Sequence, residues 1–294
     1  MNQKLFELSK LVFVDCGASY FPPDTWQFAL SSPQSHLVLV DLNGDSLAYA
    51  SQIRCKTSLI PRALFSLSGL QTLYSANTDS GSSLLPPIGR PNSLGSNPGY
   101  FLPINAINIV VSTLADELNI LNIPTIDCIK LDTQGTELAI LQGLDEQRLA
   151  QLLFIEAEVS LQNPPIYKGA ASFSDFSDLL CPLGFELANV RYSRSETFHQ
   201  HGFGFPVECD VLYVRPLHLL PSSLQQPGAL LKLLLLANLY YLYSFADQIM
   251  EKLYSLSFFS ASELEACYLS QSDLRKFQAH YLSKGGLSLW HRDQ

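Results

Sequence analysis

The stretch LVFVDCGAS at residues 11–19 reads as a strand running straight into a turn. Leu11 to Val14 are apolar without a break, Asp15 closes the run, and Gly17 frees the backbone to reverse. An unbroken apolar run of this length suits a strand buried on both faces, as in a parallel sheet with helices on either side. HLVLVD at 36–41 repeats the pattern and closes on Asp41. CKTSLI at 55–60, IDCIKLD at 126–132, LLFIEAEV at 152–159, FELANV at 185–190 and DVLYVRP at 210–216 bring the candidate strands to seven. Helix-length segments lie between several of them: SLAYASQI, TLADELNIL, GTELAILQGL and FSDFSDLLCPLG. The expected fold is α/β, a mostly parallel sheet with helices on both faces, and ligands belong at the carboxyl ends of its strands.

Composition bounds the function. With 294 residues, 47% hydrophobic and 15% charged, the chain has ample material for a core and is far from a disordered composition. A formal charge of -9, with no cluster of Lys and Arg, excludes a general nucleic-acid surface. The six cysteines lie far apart and read as reduced thiols of a cytoplasmic protein. MNQKLFELSK at the start lacks the apolar region of a secretory signal, so secretion is not expected. Near the other end, only 14 uncharged residues separate Lys232 from Asp247 in LLKLLLLANLYYLYSFADQI. That is too short to span a bilayer. Residues 217–294 therefore read as a helical extension following a main domain at 1–216. Its apolar surface is expected to meet the main domain, another protein, a second copy or a membrane surface, which would make the protein peripheral to a membrane.

The strand ends carry the first chemical signals. Asp15 and the turn at Gly17 and Ala18 would set a carboxylate and backbone amides beside a ligand, and Asp41 could accept hydrogen bonds from two ribose hydroxyls. Both aspartates could equally serve as caps or loop anchors. The turn omits the later glycines of GxGxxG and continues into Tyr20 and Phe21, so it is poorly built for a pyrophosphate. A sulfonium nucleoside, S-adenosyl-L-methionine, suits this acidic turn better than NAD. In IDCIKLDTQGTELAILQGL at 126–144, Lys130 falls in a central strand and needs a partner, expected to be Glu156 or Glu158. Asp132 stands at the strand exit, where a methyl group and an acceptor hydroxyl would meet; Thr133 or Gln134 can cap the next helix, and Glu137 reads as structural. Residues 66–108 are rich in Ser, Gly, Asn and Pro, hold no long helix or continuous apolar strand, and read as an insertion over the sheet edge that holds substrate.

Taken together, FVDCGAS at 13–19, VLVDLN at 38–43, TLYSANTDSGSSL at 72–84, VVSTLADEL at 110–118, the 126–144 segment, LLFIEAEV at 152–159 and PPIYKGAASFSDFSDLLCPLGFEL at 164–187 resemble the FkbM-type methyltransferases. The resemblance implies a class I methyltransferase sheet of seven strands with an antiparallel last strand. It also implies transfer of a methyl group from S-adenosyl-L-methionine to a hydroxyl of a carbohydrate, glycolipid or natural-product acceptor, free or lipid-linked. Asp15 and Gly17 match the first cofactor motif, Asp41 the ribose position, and Ala63 the loop near adenine. Asp132, Gln134, Gly135 and Glu137 match the IK-D-x-x-G-x-E pattern, and Glu158 falls in the acidic fifth-strand segment on the acceptor side. Two places depart from the family pattern: Tyr20 and Phe21 follow the turn, and Ala115 stands where Asp is common.

His199 and His201 in FHQHGFGFP are candidate bases because imidazole titrates near neutral pH, and they also read as plain surface residues. With Cys209 they make no complete metal-ligand set, and no metal is assigned. Asp132 with Glu158 could hold a hard cation or bind the acceptor directly. Two other functional readings stay open on the residues alone: an NAD-dependent oxidoreductase, and a catalytically inactive binding protein that keeps the sheet.

Overall fold

The computed structural model describes residues 10–19, 21–44, 46–51, 53–78, 81–88, 103–161, 164–196, 205–258 and 260. Its seven-stranded sheet is built from β1 (Val12–Cys16), β2 (His36–Val40), β3 (Lys56–Ile60), β6 (Cys128–Leu131), β7 (Phe154–Ser160), β8 (Glu186–Glu196) and β9 (Phe205–Val214). The strand order is β3-β2-β1-β6-β7-β9-β8. Every neighbouring pair from β3 to β7 is parallel, and β9 alone runs antiparallel to both of its neighbours. All seven apolar runs found in the sequence are strands of this sheet.

Alternation along the strands sorts the core into two layers. On one face Phe13, Leu37, Leu39, Cys128, Phe154 and Leu212 are buried. On the other lie Val14, Val38, Ile129, Leu131, Ile155 and Val211, packed against Leu114, Leu118, Ile140 and Phe176. These last four come from α3 (Leu114–Ile120), α4 (Glu137–Gln142) and α6 (Phe173–Leu180). The segment before them contributes the short helices α1 (Gln27–Leu30) and α2 (Leu47–Ala50), and α5 (Glu146–Gln151) leads into β7. Ala115 leaves α3 capped, because the Thr113 side chain accepts the Asp116 amide.

The first face is covered from far along the chain, by α7 (Pro227–Leu239) and α8 (Tyr243–Ser255). From Leu230 to Leu239 every residue of α7 except Lys232 is buried, because the sheet lies on one side of it and α8 on the other. Helix α8 is amphipathic, burying Ala246, Ile249, Met250 and Leu253 at helical spacing. The apolar extension thus buries its Leu-rich run against the protein's own sheet. No helix among the described residues is long and apolar enough to cross a membrane.

An ion pair fixes the position of α7. Lys232 Nζ reaches both oxygens of Asp127, at 2.9 and 3.0 Å, and Asp127 also accepts the Val12 amide at 2.8 Å. Burial raises the Asp127 carboxyl above its usual range, against the pull of Lys232. Lys232→Met leaves that carboxylate buried without its cation, and a loss of about 2–4 kcal/mol in urea unfolding is expected. The deficit should shrink as pH is lowered, since protonated Asp127 needs no counter-charge.

The 66–108 insertion differs from its sequence reading. It holds β4 (Gly69–Ala76) and the first part of β5 (Pro103–Val111), an antiparallel pair outside the main sheet. Leu70, Ile104 and Val110 on these strands are exposed, so no buried apolar run marks them.

Candidate active site

The carboxyl ends of β1, β2, β3 and β6 and the inner side of the insertion enclose a cavity of about 240 Å³. Its wall includes Gly17 after β1, Asp41 and Leu42 after β2, Ala63 and Leu64 after β3, and Asp132 after β6. Leu73 and Ser75 of β4 and Ser83 close it from the insertion.

Gly17 is required by geometry. Its φ is +87°, and a Cβ there would lie 1.9 Å from the Asp132 carbonyl oxygen. The turn after β1 therefore rests directly on the exit of β6, which only a residue without a side chain allows. The amides of Gly17 and Ala18 both donate to the Val40 carbonyl at 3.1 Å. They tie β1 to β2, which corrects the expectation of free amides facing a ligand. Ala18 is buried and stands off the cavity wall.

Asp41 lines the cavity and also organises its own loop, accepting the Asn43 amide at 3.2 Å and the Ser46 amide at 2.7 Å on different oxygens. Two acceptor sites of a carboxylate with roughly four are thereby used. Asp15 is corrected more fully: its side chain is buried off the wall, and one carboxylate oxygen lies 3.6 Å from Lys130 Nζ. Burial raises the Asp15 carboxyl, against the Lys130 charge.

Lys130 does not pair with Glu156 or Glu158 as the sequence suggested. Its Nζ is 3.2 Å from Asp132 and 3.6 Å from Asp15. Burial opposes its charge, but Asp132, Asp15 and Glu156 outweigh burial and hold the ammonium above the ordinary lysine range. Asp132 is fixed at both oxygens, by Lys130 on Oδ2 and by Gln134 Nε2 on Oδ1 at 3.3 Å. Gln134 Nε2 also donates to Glu158 at 3.3 Å, and the Tyr167 hydroxyl lies 3.0 Å from Gln134 Oε1. An amide N–H group thus sits between Asp132 and Glu158, where a shared hard cation would need only oxygens. Glu158 stands off the cavity on the far side of Gln134, and burial with nearby Glu208 and Asp132 raises its carboxyl well above the usual range.

The loop after β6 is held from within. Glu137 accepts from the amides of Thr133 (2.7 Å) and Gly135 (3.0 Å), so its role is structural, as expected. Thr136 rather than Thr133 or Gln134 occupies the helix N-cap, without a side-chain cap bond. At Gly135, φ is +106° and a Cβ would crowd Ala170, Tyr167 and Leu85. Ser83 Oγ donates to the Gln134 carbonyl at 2.6 Å and fastens the insertion to this loop. Ser83, Leu42 and Leu64 were missed in the sequence; only the position of the two leucines just past strand ends could have marked them. His199 and His201 lie outside the described residues.

A family model described as the methyltransferase FkbM domain matches residues 15–187, more than half of the chain. The chain belongs to the FkbM methyltransferase family. The protein is therefore a methyltransferase, and the nicotinamide alternative falls away. The matched span runs from the end of β1 to the start of β8 and includes every wall residue named above. No curated protein matches the chain. Among solved structures, the precorrin-6y C5,15-methyltransferase of Geobacter metallireducens GS-15 is similar at 10% identity and a TM-score of 0.35, over 72% of this chain and 85% of that one.

Proposed function

We propose that the FkbM domain transfers a methyl group from S-adenosyl-L-methionine to a hydroxyl of a carbohydrate, glycolipid or natural-product acceptor. The observation that carries this reading is the single cavity shared by Gly17, Asp41, Ala63 and Asp132 at the ends of four strands. The residues fit such a cofactor. Asp41 keeps acceptor capacity for ribose hydroxyls, and Leu42, Ala63 and Leu64 offer apolar surface for adenine. The Gly17 turn, its amides spent on Val40, offers nothing to a pyrophosphate.

When bound, the cofactor supplies an electrophilic methyl group on a sulfonium. The chain's part is to orient and to accept a proton. Asp132, partly exposed at the cavity wall and held by Lys130 and Gln134, is placed to accept the proton of an acceptor hydroxyl. Leu73, Ser75 and Ser83 lie over the opening, where they would position the acceptor and limit water.

Calorimetric titration with S-adenosylhomocysteine, S-adenosylmethionine and NAD tests the cofactor, and mass detection of methyl transfer to a panel of sugars and glycolipids tests the acceptor. Saturable binding of the sulfur nucleosides and none of NAD is expected. Asp41→Ala should weaken S-adenosylhomocysteine roughly tenfold or more. Unchanged affinity would remove Asp41 from the ribose site.

A further inference from the structure

Asp15, Lys130 and Glu156 stand directly opposite one another on the three adjacent parallel strands β1, β6 and β7. They form a charged rung on the face otherwise filled by Phe13, Cys128 and Phe154. A buried ionic group of this kind adds little to stability that apolar residues would not provide. The rung lies beneath the C-terminal helices, and one side chain from them reaches it. Tyr240, the residue that ends α7, donates its hydroxyl to Glu156 Oε2 at 2.8 Å and accepts from Trp26 Nε1 at 2.8 Å. Indole can only donate, and the Glu156 carboxylate at 2.8 Å is a nearer and stronger acceptor than Cys128 Sγ at 3.6 Å, so the tyrosine proton is directed at Glu156. Phe154 and Phe13 pack on the two rings, at 5.4 and 4.8 Å between centroids, and fix this direction.

The rung touches the cavity through a single link. Lys130 also holds Asp132, the one member of the group on the cavity wall. Counting Asp132, three carboxylates face one ammonium. A cation entering beside Asp132 therefore meets an excess of negative charge, to which Glu156 adds only while ionised. Burial and Asp210 of β9 push the Glu156 carboxyl up to about 7, while Lys130, the Tyr240 hydrogen bond and Arg191 of β8 hold it down. Cys128 of β6 and Asp15 of β1 complete its ionisable surroundings, with burial keeping the Cys128 thiol protonated.

We propose that Tyr240 is a positioning residue for methyl-donor recognition: its hydroxyl holds the Glu156 carboxylate in the rung, so that the strand ends present surplus negative charge to a cationic sulfonium. This rests on the cavity being the cofactor site. It makes a helix outside the family-matched span part of the recognition apparatus.

The test measures affinities of S-adenosylmethionine and S-adenosylhomocysteine from pH 6.5 to 8.5 for the full-length wild type, Tyr240→Phe and Glu156→Gln. Only the first ligand carries the sulfonium charge. Tyr240→Phe removes a donor that favours the anion, so Glu156 ionises at higher pH than in the wild type and carries less charge just above pH 7. S-adenosylmethionine should then bind about fivefold more weakly, the effect of one charge acting over several ångström. S-adenosylhomocysteine should change little, and raising the pH should restore the difference. Glu156→Gln should show the same selective loss, one that raising the pH does not relieve and that narrows toward pH 6.5 as the wild-type carboxyl takes up its proton, and it serves equally if Tyr240→Phe does not fold. Equal weakening of both ligands, or a loss that pH does not relieve in Tyr240→Phe, would reduce Tyr240 to a packing residue. Failure of the wild type to bind either ligand would instead overturn the cofactor reading of the cavity.

Discussion

Asp132→Asn is expected to lower methyl transfer by about 10²–10⁴-fold, the span ordinarily contributed by a positioned proton acceptor. The substitution keeps the size of the side chain and removes its charge. Asp132 is attached to a buried frame, yet its own side chain is 39% exposed and faces the cavity. Lys130 keeps Asp15 as a second partner when Asp132 is neutral, so the sheet should survive. Thermal unfolding and S-adenosylhomocysteine binding are expected to change far less than turnover, with the loss in kcat rather than in KM. Wild-type turnover in the variant would leave Asp132 as scaffold. The assay uses whichever acceptor the panel identifies, with product detected by mass.

Gly17→Ala should act by a different route and cost about 3–5 kcal/mol. Two effects add. An L-residue is strained at φ +87°, and the new methyl would fall 1.9 Å from the Asp132 carbonyl oxygen, which belongs to backbone and cannot swing away. Either the turn after β1 or the exit of β6 must move, and both wall the cavity. Urea unfolding should report the lost stability, and S-adenosylhomocysteine binding should fall with it. A midpoint equal to that of the wild type would mean that the two segments separate easily.

The main sheet was legible because its strands are buried on both faces, which leaves continuous apolar runs such as Val12–Val14 and Leu37–Val40. β4 and β5 were not, because a hairpin standing off the core mixes polar and apolar residues without a buried face. Within the site, Gly17, Asp41 and Asp132 were singled out from their places at strand ends and Ala63 from the family resemblance, and all four line the one cavity. Asp15 is still inside its strand, so alternation turns it toward Lys130 instead of outward. The partner of Lys130 was misread for a related reason. Glu156 does lie opposite it, but Tyr240 takes that carboxylate, and nothing local in the sequence shows that a residue 84 positions later will arrive there. The extension's partner was open among several possibilities, since an apolar helix signals burial without naming the surface that buries it.

The helices covering β1 and β2 come from residues 227–255. On the ribosome, Phe13, Leu37 and Leu39 would emerge long before the C-terminal helices that shelter them. The nascent chain would thus carry an apolar layer covered only in part, by Trp26, Ala29 and Leu30, through most of its synthesis, a condition that favours aggregation and chaperone capture. Yield in the cell should accordingly respond to translation speed and chaperone supply more than the finished protein's stability would suggest.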